Sequence, residues 1–295
     1  MTRVAAVDLG TNSTRLLVAD VDGEEVVEVV RRSVVTRLGE GVDARRVLLP
    51  VPMARVRNVL VDYRRELEAL GAERTLAVAT SAVRDAENGE AFLGEIEWSY
   101  GFRTRLLSGE EEADLTRRGV GALGPQTLLL DVGGGSTEVG AGEFRRSLDV
   151  GSVRITERFL ATDPPAPAEL EAAAAAIRAE LPEFEVRDAI GVAGTVGQLA
   201  ALIGTESLTL AAIELQLDRL AALALAERRT VPGLDPDRAP VIVAGCLIVR
   251  EVLRHYRLDA IQFSVRDILD GAALEAASLP PRAEGDAPPG AYTCC

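Results

Sequence analysis

Lysine is missing altogether from the 295 residues, so all 32 basic residues are arginine. A Walker-type phosphate loop, whose lysine reaches the substrate phosphates, is thereby excluded. Any phosphate clamp in this chain has to be built from planar guanidinium forks. Histidine is nearly as scarce: His255 stands alone, between Arg254 and Tyr256 in a helix-like stretch, which rules out metal sites built on imidazoles. Three cysteines, Cys246 in an apolar run and Cys294 and Cys295 at the end, do not make a disulfide framework, and the expected compartment is reducing, the cytoplasm. No apolar run is long enough to span a bilayer, and Asp8 comes before a signal-peptide core can form, so no membrane association is expected. Basic residues are also outnumbered by 46 acidic ones, for a formal net charge of −14. That excess argues against nucleic acid as a general partner.

What is present centres on residues 127–138, TLLLDVGGGSTE. An apolar strand ends on Asp131 and runs into Gly133, Gly134, Gly135, Ser136 and Thr137, with Glu138 closing the turn. Glycines let backbone N–H groups approach an anion, hydroxyls add donors, and the carboxylate at the strand end suits a divalent cation. Taken alone, the stretch also fits a Gly-rich hairpin. Residues 4–15, VAAVDLGTNSTR, repeat it: an offset of 123 positions carries Asp8 onto Asp131, Gly10 onto Gly133, Ser13 onto Ser136 and Thr14 onto Thr137. A strand, an Asp-x-Gly-x-x-Ser-Thr turn and a second strand, repeated most of a domain apart, point to a duplicated architecture.

The length suits two domains, and the Gly124-Pro125 turn divides the chain into lobes 1–123 and 124–279, with 280–295 read as a disordered tail. In the first lobe, Met53, Val56, Val59, Leu60, Tyr63 and Leu67 recur at helical spacing. A short strand, 75–79, then delivers Thr80 to Asp85 to the end of a sheet, where open α/β folds place ligands. Arg84 there is either a phosphate ligand or a salt-bridged surface arginine. A strand RTRLL leads to Ser108, which with Glu111 forms a capping box, so Glu110, Glu111 and Glu112 fall in a first helical turn. The helix dipole alone favours carboxylates there, and one of the three would serve as a general base if the helix end lines a cleft. In the second lobe, 189–203 reads as strand, Gly-rich turn and helix, 209–228 as one amphipathic helix, 240–253 as a buried helix and 260–264 as a buried strand. A last helix follows Asp267.

With these stretches in place the chain resembles the exopolyphosphatase and guanosine pentaphosphate phosphohydrolase family, within the actin, Hsp70 and sugar-kinase superfamily. The motifs are VDLGTNSTRLLV, ATSAVRDAEN, LLSGEEEADLTRRGV, LLLDVGGGSTE, LDVGSVRITERF, VAGTVGQL and VPGLDPDRAPVIVAG, spread to about residue 278. The resemblance implies an α/β fold of two actin-like (ribonuclease H-like) lobes with duplicated mixed β-sheets and a cleft between them. Position by position it implies Glu112 as the base that orients and deprotonates water, and Asp8 and Asp131 as the carboxylates that hold Mg²⁺. Glu138 would be a second acid near metal and water, and Asn12, Ser13, Arg84, Gly133, Gly134, Gly135 and Ser136 would bind phosphate. The substrate implied is inorganic polyphosphate or, as runner-up, guanosine pentaphosphate, with a homodimer as the assembly. Longer family members carry further helical domains that form a basic channel, so short polyphosphate chains are the expected preference. An actin-like nucleotide-binding regulator, or a kinase of the wider superfamily, is the alternative of another class; no distinct adenosine pocket or acceptor site is visible in the sequence.

Overall fold

A computed structural model describes residues 1–280 and divides the chain into two compact units, Met1–Gly121 with the segment from Ile268 onward, and Ala122–Asp267. The expected tail lies, from residue 281, outside the described residues.

In the first unit β1 (Thr2–Leu9), β2 (Ser13–Asp22) and β3 (Glu25–Val35) form an antiparallel meander. After a short α1 (Val42–Arg45) and the long α2 (Pro50–Ala69), β4 (Arg74–Ala79) joins β1 in parallel. Then α3 (Ser81–Arg84) and α4 (Gly89–Tyr100) lead to β5 (Arg103–Leu106), parallel to β4 and followed by α5 (Gly109–Val120). The strand order is β3-β2-β1-β4-β5. α2 is helical for the reason its sequence suggests: a proline in its first turn, and buried Val56, Leu60, Tyr63 and Leu67 on one face. The period-2 alternation of β1 serves two cores. Ala5, Val7 and Leu9 pack with Val56, Leu60 and Tyr63, while Val4 and Ala6 pack on the opposite face with Leu76, Val78 and Leu115. Asp8 shares the parity of Val4 and Ala6. The carboxylate therefore belongs to the α5 side of the sheet, at its carboxyl end.

The second unit repeats the plan. β6 (Thr127–Val132), β7 (Thr137–Ala141) and β8 (Phe144–Leu148) form the meander, and after α6 (Ser152–Phe159) and α7 (Pro167–Glu180), β9 (Asp188–Val192) pairs in parallel with β6. There follow α8 (Ala193–Ile203), β10 (Ser207–Thr209), α9 (Leu210–Ala221), α10 (Leu225–Arg228), α11 (Ile242–His255) and β11 (Ala260–Phe263), in a sheet of order β10-β11-β9-β6-β7-β8. Without β10, the order and sense of the strands match the first sheet. The single helix read over 209–228 is two helices: Thr209 caps α9 through Ala212 N at 3.2 Å, the chain leaves helical geometry at Leu223 and Ala224, and buried Arg228 donates to the carbonyls of Leu220 (3.0 Å), Leu223 (2.8 Å) and Ala239 (3.2 Å). A guanidinium that gathers the carbonyls at a helix end replaces the next helical turn.

The last helix, α12 (Ile268–Ser278), departs from the lobe boundary drawn from sequence. It belongs to the first unit, where Ile268, Leu269, Ala272, Ala273 and Leu274 fill the core beneath Val4, Ala6 and Leu17. Gly271 lets it approach α5 closely, since a Cβ there would stand 1.9 Å from the carbonyl oxygen of Leu115. Arg31 to Asp270 (2.9 Å) and Arg105 to Glu275 (2.6 Å) fix it at both ends. Linear order alone does not show this return, because the face that α12 covers comes from strands almost a whole chain earlier.

Candidate active site

The residues singled out from sequence gather at the carboxyl ends of the parallel strands, one group in each unit. In the first unit Asp8 comes from the end of β1, Arg84 from α3 after β4, and Glu112 from α5 after β5. Glu112 and Glu111, adjacent in sequence, have different surroundings. Glu111 completes the capping box: Ser108 N donates to its Oε2 (2.8 Å), Glu111 N donates to Ser108 Oγ (3.2 Å), and Arg105 reaches Oε1 (2.6 Å). The Ser108 backbone N–H, then the Arg105 guanidinium, hold its carboxyl down to about 2, with the side chain 45% exposed. Glu112, one step round the helix, is only 8% exposed. Its Oε2 accepts from Arg84 Nη1 at 3.2 Å, and the same nitrogen donates to the carbonyl of Leu107 at 2.7 Å. The capping role thus falls to Glu111, and Glu112 is the buried carboxylate, placed beside Arg84. Arg84 is salt-bridged to Glu112, with 27% of its side chain exposed.

The first turn is braced from behind. Gly10 N donates to Ser13 O (3.1 Å), and the carbonyls of Thr11 and Asn12 accept from Gly39 N (2.8 Å), Thr36 N (3.0 Å) and Arg37 N (2.9 Å). Thr11, Asn12 and Ser13 are all buried. The strap over 36–39 has no periodic signature and was not legible in sequence.

In the second unit the turn closes in the same way, Gly133 N to Ser136 O at 3.0 Å. Its carbonyls bind the start of α6: Gly133 O accepts from Ser152 N (3.0 Å), and Gly134 O from Val153 N (2.8 Å) and Arg154 N (3.2 Å). Glu138, buried in β7, lies directly across from Asp131 and accepts from Ser147 Oγ at 2.7 Å. Thr137 donates to the carbonyl of Val150, and Thr195, at the start of α8, donates to that of Val132 at 2.9 Å.

The position that pairs with the aspartate differs between the copies. Asp8 lies across from Arg15, whose Nε and Nη2 both reach Asp8 Oδ2 at 2.8 Å, whereas Asp131 lies across from Glu138. Arg15 and Glu138 are themselves one offset of 123 apart, so the contrast falls on the last position of the two repeated stretches.

Among the described residues no group of three or more His, Cys, Asp or Glu stands ready to hold a metal ion. Mg²⁺ ordinarily keeps several waters and takes one or two carboxylates plus substrate phosphates rather than an all-protein cage. Carboxylates offered singly or in pairs beside glycine- and hydroxyl-bearing turns, Asp8 at the first and Asp131 with Glu138 at the second, fit that chemistry.

Two mixed sheets with matching strand order, each bearing the same Asp-x-Gly-x-x-Ser-Thr turn, define an α/β protein of the actin-like class. The model of the Ppx/GppA phosphatase family matches residues 17–277, and the chain belongs to that family. It is accordingly a hydrolase. Exopolyphosphatase 2 of Mycobacterium tuberculosis (strain CDC 1551 / Oshkosh) is 37% identical, over 94% of this chain and 99% of its own length. The crystal structure of an exopolyphosphatase-like protein superposes with a TM-score of 0.86 at 31% identity, over 93% of this chain and 97% of that one. The Ppx/GppA family member of Aquifex aeolicus gives 0.76 at 28%, over 94% and 97%.

Proposed function

We propose that the protein is an Mg²⁺-dependent exopolyphosphatase that removes the terminal phosphate of inorganic polyphosphate. The observation that carries the reading is the separation of roles within SGEEEA, with Glu111 engaged in capping and Glu112 held beside Arg84. Glu112 takes a proton from the attacking water as its oxygen bonds to the terminal phosphorus. The bridging P–O bond breaks, and the shortened chain leaves with the electron pair on its terminal oxygen. Asn12, Ser13, Ser136 and the turn of Gly133, Gly134 and Gly135, through the N–H groups of its last two glycines, hold phosphate oxygens, and Arg84 binds phosphate while orienting Glu112. Asp8 and Asp131 would hold Mg²⁺, with Glu138 near it; the ion supplies charge neutralisation on the transferred phosphoryl group. No covalent nucleophile is needed.

Two names among relatives, exopolyphosphatase in M. tuberculosis and exopolyphosphatase-like in the superposed structure, support polyphosphate as the substrate. The net charge of −14 supports a preference for short chains, since a long polyanion meets more of the acidic surface. A cytoplasmic homodimer completes the reading, supported by cysteine usage and by the family resemblance respectively. Phosphate release in Mg²⁺ from short polyphosphate, long polyphosphate and guanosine pentaphosphate, with Glu112→Ala as the blank, tests it. Release from short polyphosphate, absent in the variant, is expected. Release from the nucleotide alone would move the protein to alarmone hydrolysis, and nucleotide binding without turnover to a regulatory role.

A further inference from the structure

The three carbonyls of the glycine turn in the second unit are not held alike. Those of Gly133 and Gly134 accept from backbone N–H groups at the start of α6, with Ser152 Oγ adding a contact to Gly133 O at 3.2 Å. Almost any sequence would supply such backbone donors. The carbonyl of Gly135 is instead held by a side chain, accepting from Arg154 Nε at 2.6 Å. Arg154 is 5% exposed, and its Nη2 stands 3.7 Å from Asp149 Oδ1.

The direction of these carbonyls fixes the direction of the N–H groups. In a trans peptide the N–H of the next residue points opposite to the C=O. Carbonyls of 133, 134 and 135 drawn towards α6 therefore turn the N–H groups of Gly134, Gly135 and Ser136 to the other side of the turn. Successive N–H groups aimed the same way form an anion-binding concavity. Two of the three orientations are set by the backbone, and the third, that of the peptide joining Gly135 to Ser136, depends on one guanidinium. In the turn of the first unit the braced carbonyls, Thr11 and Asn12, take their donors from backbone alone.

We infer that Arg154 is a positioning residue for phosphate: it acts through the Gly135 carbonyl to aim the Ser136 N–H at the anion, without touching the anion itself. The inference deepens the proposed function and rests on it only for the identity of the substrate. It assigns work to the LDVGSVRITERF motif, for which the hydrolytic scheme has no other use.

The test exploits side-chain length. Glutamine Nε2 stands as many bonds from Cα as arginine Nε and donates a hydrogen bond without charge, while methionine has a methyl group there. Arg154→Met is expected to weaken binding of inorganic phosphate by about tenfold, in line with one strong hydrogen bond, and to raise KM for polyphosphate. Arg154→Gln should recover most of both. Wild-type binding and KM in Arg154→Met would overturn the inference, as would equal defects in the two variants, which would mark a charge or packing role. If Arg154→Met does not fold, Gly151→Ala reaches the same turn independently, because a Cβ there would lie 2.3–2.4 Å from the Gly134 and Gly135 backbone. That variant should weaken phosphate binding comparably, and unchanged binding would overturn the inference. A wild-type protein that binds phosphate and keeps the methionine–glutamine contrast, yet releases nothing from polyphosphate, would sink the proposed function and leave this inference standing. A wild-type protein that binds no phosphate would end both.

Discussion

Arg15 occupies in the first strand pair the place that Glu138 occupies in the second, each lying across from the aspartate that ends the preceding apolar run. The duplication has kept the turn and reversed the charge beside it. Asp8 is consequently in a largely buried ion pair, with Arg15 on Oδ2 at 2.8 Å. Removing one partner of such a pair leaves a charge in a place of low polarity. Asp8→Ala should lose about 3 kcal/mol of stability in urea denaturation, and Asp8→Ala with Arg15→Met should lose less than the single variant.

The adjacent glutamates give a sharper contrast. Glu112→Gln should abolish phosphate release while leaving the circular dichroism spectrum and the melting temperature nearly unchanged. Glu111→Gln, whose amide oxygen can still accept from Ser108 N, should keep most of the turnover and lower stability by about 0.5 kcal/mol through the lost charge beside Arg105 and the helix N-terminus. Activity retained in Glu112→Gln would remove it as the base.

Glu111 also sets an acid-side trend. Its carboxyl titrates at about 2 in the folded protein against an ordinary value of 4.5. A depressed folded value means that the contribution is complete above about pH 4.5 and is lost as pH falls from there through about 2. Because the side chain is half exposed, solvent screening keeps the effect small. The melting-temperature gap between wild type and Glu111→Gln should be constant from neutral pH to about 5 and close on further acidification.

These contrasts show what the sequence makes legible. The duplicated turn was readable because backbone chemistry demands particular residue types there: small residues where N–H groups converge, hydroxyls beside them, an acid at the strand end. The capping box was readable because its two partners lie three positions apart. Arg154 on Gly135 and the 36–39 strap on Thr11 and Asn12 were not, since a side chain or backbone that meets a carbonyl many positions away leaves no local pattern. The placement of α12 was missed for a related reason. Its apolar residues would suit either sheet, and only tertiary packing selects the first.

The close approach of α12 and α5 makes Gly271→Ala informative. With the Leu115 carbonyl 1.9 Å from the new Cβ, the helices must separate. The expected cost is about 1–3 kcal/mol or more, as for overpacked cores. Chemical denaturation measures it, and a neutral result would mean that the interface yields freely.

The return of α12 to the first sheet also has a consequence for biosynthesis. The second unit is continuous in sequence, from Ala122 to Asp267, so its strands and helices can assemble as soon as they leave the ribosome. The first unit is begun earlier and finished later. Its sheet waits, one apolar face uncovered, until Ile268–Ser278 has been made. Of the two units, the one whose synthesis starts first is therefore the last to be complete, and throughout translation of the second unit the nascent chain carries an open hydrophobic surface of the kind that chaperones bind.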